Sequence, residues 1–198
     1  MPRRNTISKL FAGTLYHVYN READRARMFF DDEDRSYFRE LLGRHLSKEP
    51  VRDGRGRLYR NLRNRVRVAA LAICWSHFHL IVFQVDPGGI ESLMRSVMNG
   101  YSAYFARKYG RDKPMFVASY RARPLTTRRE KLTCITYVSE NHGDDCFCDW
   151  CSHREYATGA NDPPGWLDAR SGLQLFGGVD VYLELLTLRR RLRELLGE

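Results

Sequence analysis

The sequence predicts an α+β fold in which helices pack on an antiparallel sheet, and three observations predict it. Two consecutive apolar runs, "VRVAALAICW" (66–75) and "HFHLIVFQV" (77–85), have strand character. From Ile90 to Tyr109, the residues Ile90, Leu93, Met94, Val97, Met98, Tyr101, Tyr104 and Phe105 recur at the i, i+3, i+4, i+7 spacing of a helix with one apolar face. The resulting order of elements, β-α-β-β-α-(β)-α, is that of helices laid on an antiparallel sheet.

Each element has its own warrant. Residues 13–20, "GTLYHVYN", alternate around Leu15, His17 and Tyr19 and form the first strand. Asp31 or Asp32 caps a helix running to about Leu46, with Tyr37, Phe38, Leu41 and Leu42 at helical spacing. Residues 52–67, "RDGRGRLYRNLRNRVR", hold seven arginines and one acid, and two glycines place a turn near their start. This insert reads either as a solvated loop or as a phosphate-contacting arm. The strand at 66–75 is so uniformly apolar that it is expected in the middle of the sheet. Pro87, Gly88 and Gly89 end the strand that follows, and "MFVASYRARPL" (115–125) is a short strand or extended arm.

Residues 130–141, "EKLTCITYVSEN", form a helix that buries Leu132, Ile135 and Val138 and stops at His142-Gly143. Beyond it "DDCFCDWCSHREY" is loop-like, "NDPPGW" is a turn, and Val179 to Leu196 is a leucine-rich helix carrying Arg189, Arg190, Arg191 and Arg193. The chain therefore divides into a main domain, 1–145, and a C-terminal loop and helical extension, 146–198.

Composition narrows the function classes. With 43% hydrophobic and 29% charged residues, the 198-residue chain is neither disordered nor membrane-embedded in character. Its N-terminus, "MPRRNTISKLFAG", lacks the apolar core of a signal peptide, so a cytoplasmic protein is expected. A formal charge of +9 favours a polyanionic partner, because each neutralised phosphate releases counterions. Five cysteines, Cys74, Cys134, Cys146, Cys148 and Cys151, form no even framework and read as reduced thiols. A zinc reading of Cys146, Cys148, Cys151 and His153 is disfavoured by the C-x-C spacing and the missing second pair.

The chemistry starts at "SHFHL" (76–80). In a strand, residues i and i+2 project from one face, so His77 and His79 point together while Phe78 and Leu80 point into the core. Two imidazoles with Cβ atoms about 7 Å apart can converge on one cation, although a lone strand histidine is usually structural. A nuclease-type site also needs a third ligand and a nucleophile. Tyr137 and Asn141, four residues apart, share one helical face and offer both. Taken singly, each has a plainer reading, Tyr137 as a packing residue and Asn141 as a helix terminator. Tyr101, Tyr104 and Tyr109 of the long helix are alternative nucleophiles, of which Tyr101 and Tyr104 lie on its buried stripe and read as packing residues.

"YHVYNR" (16–21), "MFFDDEDRSYFRELL" (28–42), "SHFHLIV" (76–82), "LMRSVMNGYSAYFARKYG" (93–110), "MFVASYRARPL" (115–125) and "YVSEN" (137–141) follow one another in the order of a known family. They resemble the HUH-type single-tyrosine transposases, in which two histidines flank a bulky apolar residue. The REP-associated tyrosine transposases, which act on palindromic repeats in bacterial chromosomes, are the most similar subgroup. The tail "GWLDARSGLQLFGG" also resembles theirs. The chain departs in having Trp75-Ser76 where the family has Pro-Asn, Asn141-His142 where it has Asn-Pro, and Ser119 where it has arginine before Tyr120.

The resemblance implies a ferredoxin-like antiparallel sheet with helices packed on one face, plus the C-terminal helical extension. It implies a metal-dependent transposase that cleaves and rejoins single-stranded DNA at hairpin repeats through a 5′-phosphotyrosine. Tyr137 would be the nucleophile, and His77, His79 and Asn141 would hold Mg²⁺ or Mn²⁺. His17, Arg21, Arg55, Arg57, Arg60, Arg63, Arg121 and Arg123 are candidate DNA contacts. Single-stranded or hairpin DNA is the expected partner, the nucleoid the expected location, and no membrane is involved. Either a monomer or a homodimer paired through sheet edges is compatible with the family. The alternative function is a domesticated, non-catalytic protein that binds repeat DNA; a metal-dependent RNA endonuclease is disfavoured because it would leave Tyr137 idle.

Overall fold

The computed structural model describes residues 10–21, 27–110, 119–140, 150–161 and 163–196. Asn141, Cys146 and Cys148 lie outside them, as does the first part of the 115–125 segment. The elements are β1 (Thr14–Arg21), α1 (Asp32–Leu46), β2 (Val66–Cys74), β3 (His77–Gln84), α2 (Gly89–Tyr109), β4 (Arg121–Leu125), α3 (Arg128–Glu140), α4 (His153–Ala157), α5 (Ala169–Phe176) and α6 (Val179–Leu196). The strands form one antiparallel sheet in the order β2-β3-β1-β4, so the expected α+β fold with a ferredoxin-like strand order is present.

The pleat of β3 sorts its residues between two layers. Phe78, Leu80 and Val82 are buried on the side of α1 and α2, where Phe38 of α1 meets the Phe78 ring at 4.9 Å. His77 and His79 alternate with them and face the side of α3, whose Tyr137 ring lies 5.5 Å from that of His79. Helices thus cover both faces of the sheet instead of the one expected: α1 and α2 on the first, α3 and α5 on the other.

The apolar run at 66–75 is not central, as expected, but an edge strand. Both faces of β2 are covered by helices, and its outer edge is closed by the extension. Ile73 N–H donates to Trp150 O at 2.8 Å, Ser152 N–H to Leu71 O at 3.0 Å, and Asp168 N–H to Val68 O at 2.7 Å. An edge sealed in this way shows water no more of itself than a central strand does, and so tolerates the same apolar composition. Close approach by α5 completes the seal. A Cβ at Gly172 would stand 1.8 Å from the hydroxyl of buried Tyr156, which donates to Ala69 O at 3.1 Å.

At the other end of α1 lies a buried ionic knot. Asp34, fully buried, accepts from Phe30 N–H (2.8 Å), Tyr104 OH (3.0 Å), Tyr109 OH (2.9 Å) and Lys108 Nζ (2.9 Å). Lys108 also reaches Asp31 and Glu33, tying the C-terminus of α2 to the N-terminus of α1. Removing Asp34 takes the acceptor from Phe30 N–H and the Tyr104 hydroxyl, whereas Lys108, partly exposed, keeps the more exposed Asp31 and Glu33. Asp34→Ala is expected to cost about 2–4 kcal/mol from the donors left unsatisfied, read as a lower urea midpoint at unchanged m-value.

Candidate functional site

Register brings the site together before any side chain is considered. Across β1 and β3, Tyr19 stands opposite His79 and Arg21 opposite His77; across β1 and β4, Arg121 stands opposite Tyr19 and Arg123 opposite His17. Directly opposed residues share a face. One patch of sheet therefore carries His17, Tyr19 and His79, with the exposed Arg121 and Arg123 at its outer edge.

Capping fixes the helix above it. Thr127 and Glu130 form a reciprocal capping box at the start of α3: Glu130 N–H donates to Thr127 Oγ1 at 3.1 Å, and Thr127 N–H to Glu130 Oε2 at 3.0 Å. The Thr127 backbone bond, with those from Thr126, holds the Glu130 carboxyl down to about 2. Glu130 is also 3.4 Å from Arg123 on β4. Two turns further along α3, Tyr137 comes down onto the histidine patch.

The rings form a tight group. His77 and His79 have centroids 5.0 Å apart, His79 and Tyr137 5.5 Å, and His17 and His79 4.9 Å. Tyr19 stacks on His17 at 4.8 Å. The rings of His77, His79, Tyr137 and His17 thus lie in one group. Tyr19 was not singled out from the sequence, although its i+2 spacing from His17 was a usable signal. Arg189 of α6, whose guanidinium carbon lies 5.1 Å from the Tyr137 ring centroid, had no local signal.

Both histidines of the pair have Nδ1 engaged. Ser76 Oγ lies 3.0 Å from His77 Nδ1, and His17 Nε2 lies 2.8 Å from His79 Nδ1. Burial, reinforced by the Arg123 guanidinium, holds the His17 imidazole down to about 4, so it is neutral at pH 7. A neutral His17 can accept from His79 Nδ1–H, and in that tautomer of His79 the lone pair is on Nε2. An outer partner on one nitrogen and a cation on the other is how ligating histidines are oriented. The imidazole pair thus fits a divalent ion. Among the described residues no group of three or more His, Cys, Asp and Glu side chains forms a metal site, so a third protein ligand would have to come from elsewhere, and Asn141 lies outside the described residues.

The His17 shift carries a pH prediction for the metal-free protein. Its folded-state value lies below the unfolded 6.5, so between those values the unfolded chain binds the proton and the folded one does not. Stability is complete above pH 6.5 and is lost as pH falls toward 4, by up to about 3 kcal/mol. Urea unfolding across that window should show this slope, and His17→Gln should flatten it.

The alternative nucleophiles are occupied. Tyr101 OH donates to Met28 O at 3.0 Å and Tyr104 OH to Asp34; burial pushes both phenols up, Tyr104 to about 12. His153 is buried, with Nδ1 2.9 Å from Tyr182 OH. In the insert, Arg55 and Arg60 are exposed and Arg57 pairs with Asp53 at 3.0 Å. Arg63 instead donates to Leu46 O (3.1 Å) and Gly165 O (2.7 Å), clamping the insert to the body. The insert joins β2 at Val66, whereas the histidines sit at the Cys74 end; eight residues of strand separate these ends, roughly 25 Å.

No protein-family model and no curated protein matches the chain. Among solved structures it is similar to a REP-associated tyrosine transposase bound to a REP hairpin, with TM-score 0.53 and 12% identity over 84% of this chain and 90% of that one. Two structures of a bacterial tRNA(His) guanylyltransferase-like protein, with ATP and with GTP, reach TM-score 0.43 at 13% and 12% identity. They cover 80% and 79% of this chain and 68% and 74% of theirs. The chain therefore shares the fold of the REP-associated tyrosine transposase.

Proposed function

We propose that the chain is a metal-dependent tyrosine transposase that cleaves and rejoins single-stranded DNA beside hairpin repeats. The observation that carries this reading is the convergence of His77, His79 and Tyr137 from β3 and α3, with ring centroids 5.0 and 5.5 Å apart. The structure similar in fold was solved with a REP hairpin bound, which supports hairpin DNA as the partner. The formal charge of +9 and the arginines beside the site agree with a polyanionic substrate.

In this reading Tyr137 Oη attacks the scissile phosphorus in line. The Oη–P bond forms, the P–O3′ bond breaks, the phenol gives up its proton and the 3′ oxygen takes one up. The products are a 5′-phosphotyrosine and a 3′-hydroxyl, which can reverse the exchange on another end without ATP. His77, His79 and, from the segment after α3, Asn141 would hold a Mg²⁺ or Mn²⁺ ion, whose Lewis acidity polarises the phosphate oxygens. Neutral His17 keeps the His79 ring in its orientation. Arg121 and Arg123, with Arg21 at the end of β1, would take the single strand. Arg55, Arg57 and Arg60 would meet the hairpin stem some distance from the cut.

The test is direct. A labelled hairpin oligonucleotide with flanking single strand, incubated with Mn²⁺, should yield a protease-sensitive protein–DNA adduct. Binding without any adduct would favour the non-catalytic repeat-binding protein instead. Replacing Arg55, Arg57 and Arg60 together should flatten the slope of log K against log salt by about 2 to 3 units; an unchanged slope removes the insert from the interface.

A further inference from the structure

The C-terminal helix supplies a charge that neither the strand pair nor α3 provides. Arg189 is half-buried, whereas Arg190, Arg191 and Arg193 are exposed. Its guanidinium carbon lies over the Tyr137 ring at 5.1 Å, and its Nε is 3.2 Å from Glu140 Oε2. Arg190 Nε meets the other oxygen of the same carboxylate at 2.8 Å. Glu140 follows Tyr137 by one turn of α3, and only 5% of its side chain is exposed. A carboxylate so buried is costly unless paired. Arg190 Nε donates to Oε1, while Arg189 stands beside Oε2 as an ion pair only, neither Arg189 Nε nor Oε2 having a hydrogen-bond partner among the described residues; the two ion pairs set the register of α6 on α3. That register sets Arg189 over the phenol.

The ring is thus bracketed. His79 meets it at an interplanar angle of 74°, and Arg189 covers a face. A cation over an aromatic face is attractive and directional, so it narrows the orientations open to a half-buried side chain. A nucleophile held in the attack geometry reacts far faster than one that must find it.

We propose that Arg189 is a positioning residue for Tyr137, braced by Glu140, so that the C-terminal extension forms part of the strand-transfer site. The inference rests on the strand-transfer reading of the site. It also makes a statement about the DNA-free protein, and this allows the two to fail separately.

The experiment compares Arg189→Met and Arg189→Lys with the full-length wild type, using a saturating labelled hairpin oligonucleotide and Mn²⁺. Arg189→Met should slow single-turnover adduct formation about tenfold or more while the hairpin Kd stays within about threefold. Arg189→Lys, which keeps a cation near the ring, should recover much of the rate. In the DNA-free protein, the Tyr137 ring resonance, assigned by its loss in Tyr137→Phe, should move in Arg189→Met. Three results would overturn the proposal. One is a rate within about twofold of wild type; another is a rise in Kd that matches the fall in rate, which would make Arg189 a DNA contact. The third is equal losses in the Met and Lys variants with a lowered Tm, which would make it a packing residue. If the wild type itself forms no adduct, the strand-transfer reading falls, and the ring resonance decides alone: a shift supports the bracing contact and an unchanged signal overturns it.

Discussion

Tyr137→Phe is expected to abolish the covalent protein–DNA adduct, a loss of at least about a thousandfold, with the fold and the hairpin affinity retained. The change deletes one oxygen from a half-buried ring, so the packing of α3 over the sheet survives. That oxygen is the atom which forms the new bond to phosphorus, and no neighbour can replace it. Tyr101 and Tyr104 lie on α2, spent on Met28 O and on Asp34. Tyr19 is the one other phenol in the group, 5.9 Å from the His79 ring, which makes Tyr19→Phe the matching control. The adduct should persist in Tyr19→Phe and vanish in Tyr137→Phe, as read on a denaturing gel with and without protease. An adduct that survives Tyr137→Phe would remove Tyr137 from the chemistry.

What the sequence made legible here was whatever depends on periodicity. The alternation of β3 placed His77 and His79 on one face and Phe78 on the other. The capped apolar stripes of α1 and α2 appear within a residue or two of their expected ends. The strong helix signal of 130–141 located α3, which the structure starts at Arg128 because the Thr127–Glu130 box lies just upstream. Less legible was anything decided by elements far apart in the chain. The apolar composition of β2 could not distinguish a central strand from an edge sealed by residues 150–152 and 167–168. The short helix α4 falls in a stretch expected as loop, and α5 in one given no element of its own: five and eight residues give little periodicity to read, although Asp168 capping Ser171 N–H and Gly177 after Phe176 are local start and stop signals. Arg63 read as a DNA contact because arginine-rich segments usually are solvated, yet it is spent on Leu46 O and Gly165 O. Arg189 sat in a basic run with nothing to mark it; its meaning comes from Glu140, 49 positions earlier in the chain.

The residue between the histidines should matter as much for stability as they do for chemistry. Phe78 is fully buried, packed on Phe38 at 4.9 Å, and its ring anchors the strand that carries both imidazoles. Phe78→Ala leaves a cavity in a core layer shared by α1 and α2, which costs about 3–5 kcal/mol. For a chain of this size that corresponds to a Tm lower by about 6–20 °C. Phe78→Leu keeps most of the volume and should cost about 1.5 kcal/mol or less. The strand has period two, so loss of the inward anchor releases the outward pair as well: once Phe78 no longer fixes the pleat, His77 and His79 lose the common orientation that a shared cation would require. Adduct formation by Phe78→Ala, measured well below its own Tm, should therefore fall further than its unfolded fraction accounts for, whereas Phe78→Leu should track stability alone. Equal specific activity of the folded fractions in both variants would show that the histidines keep their geometry without the anchor, and that Phe78 serves the core only.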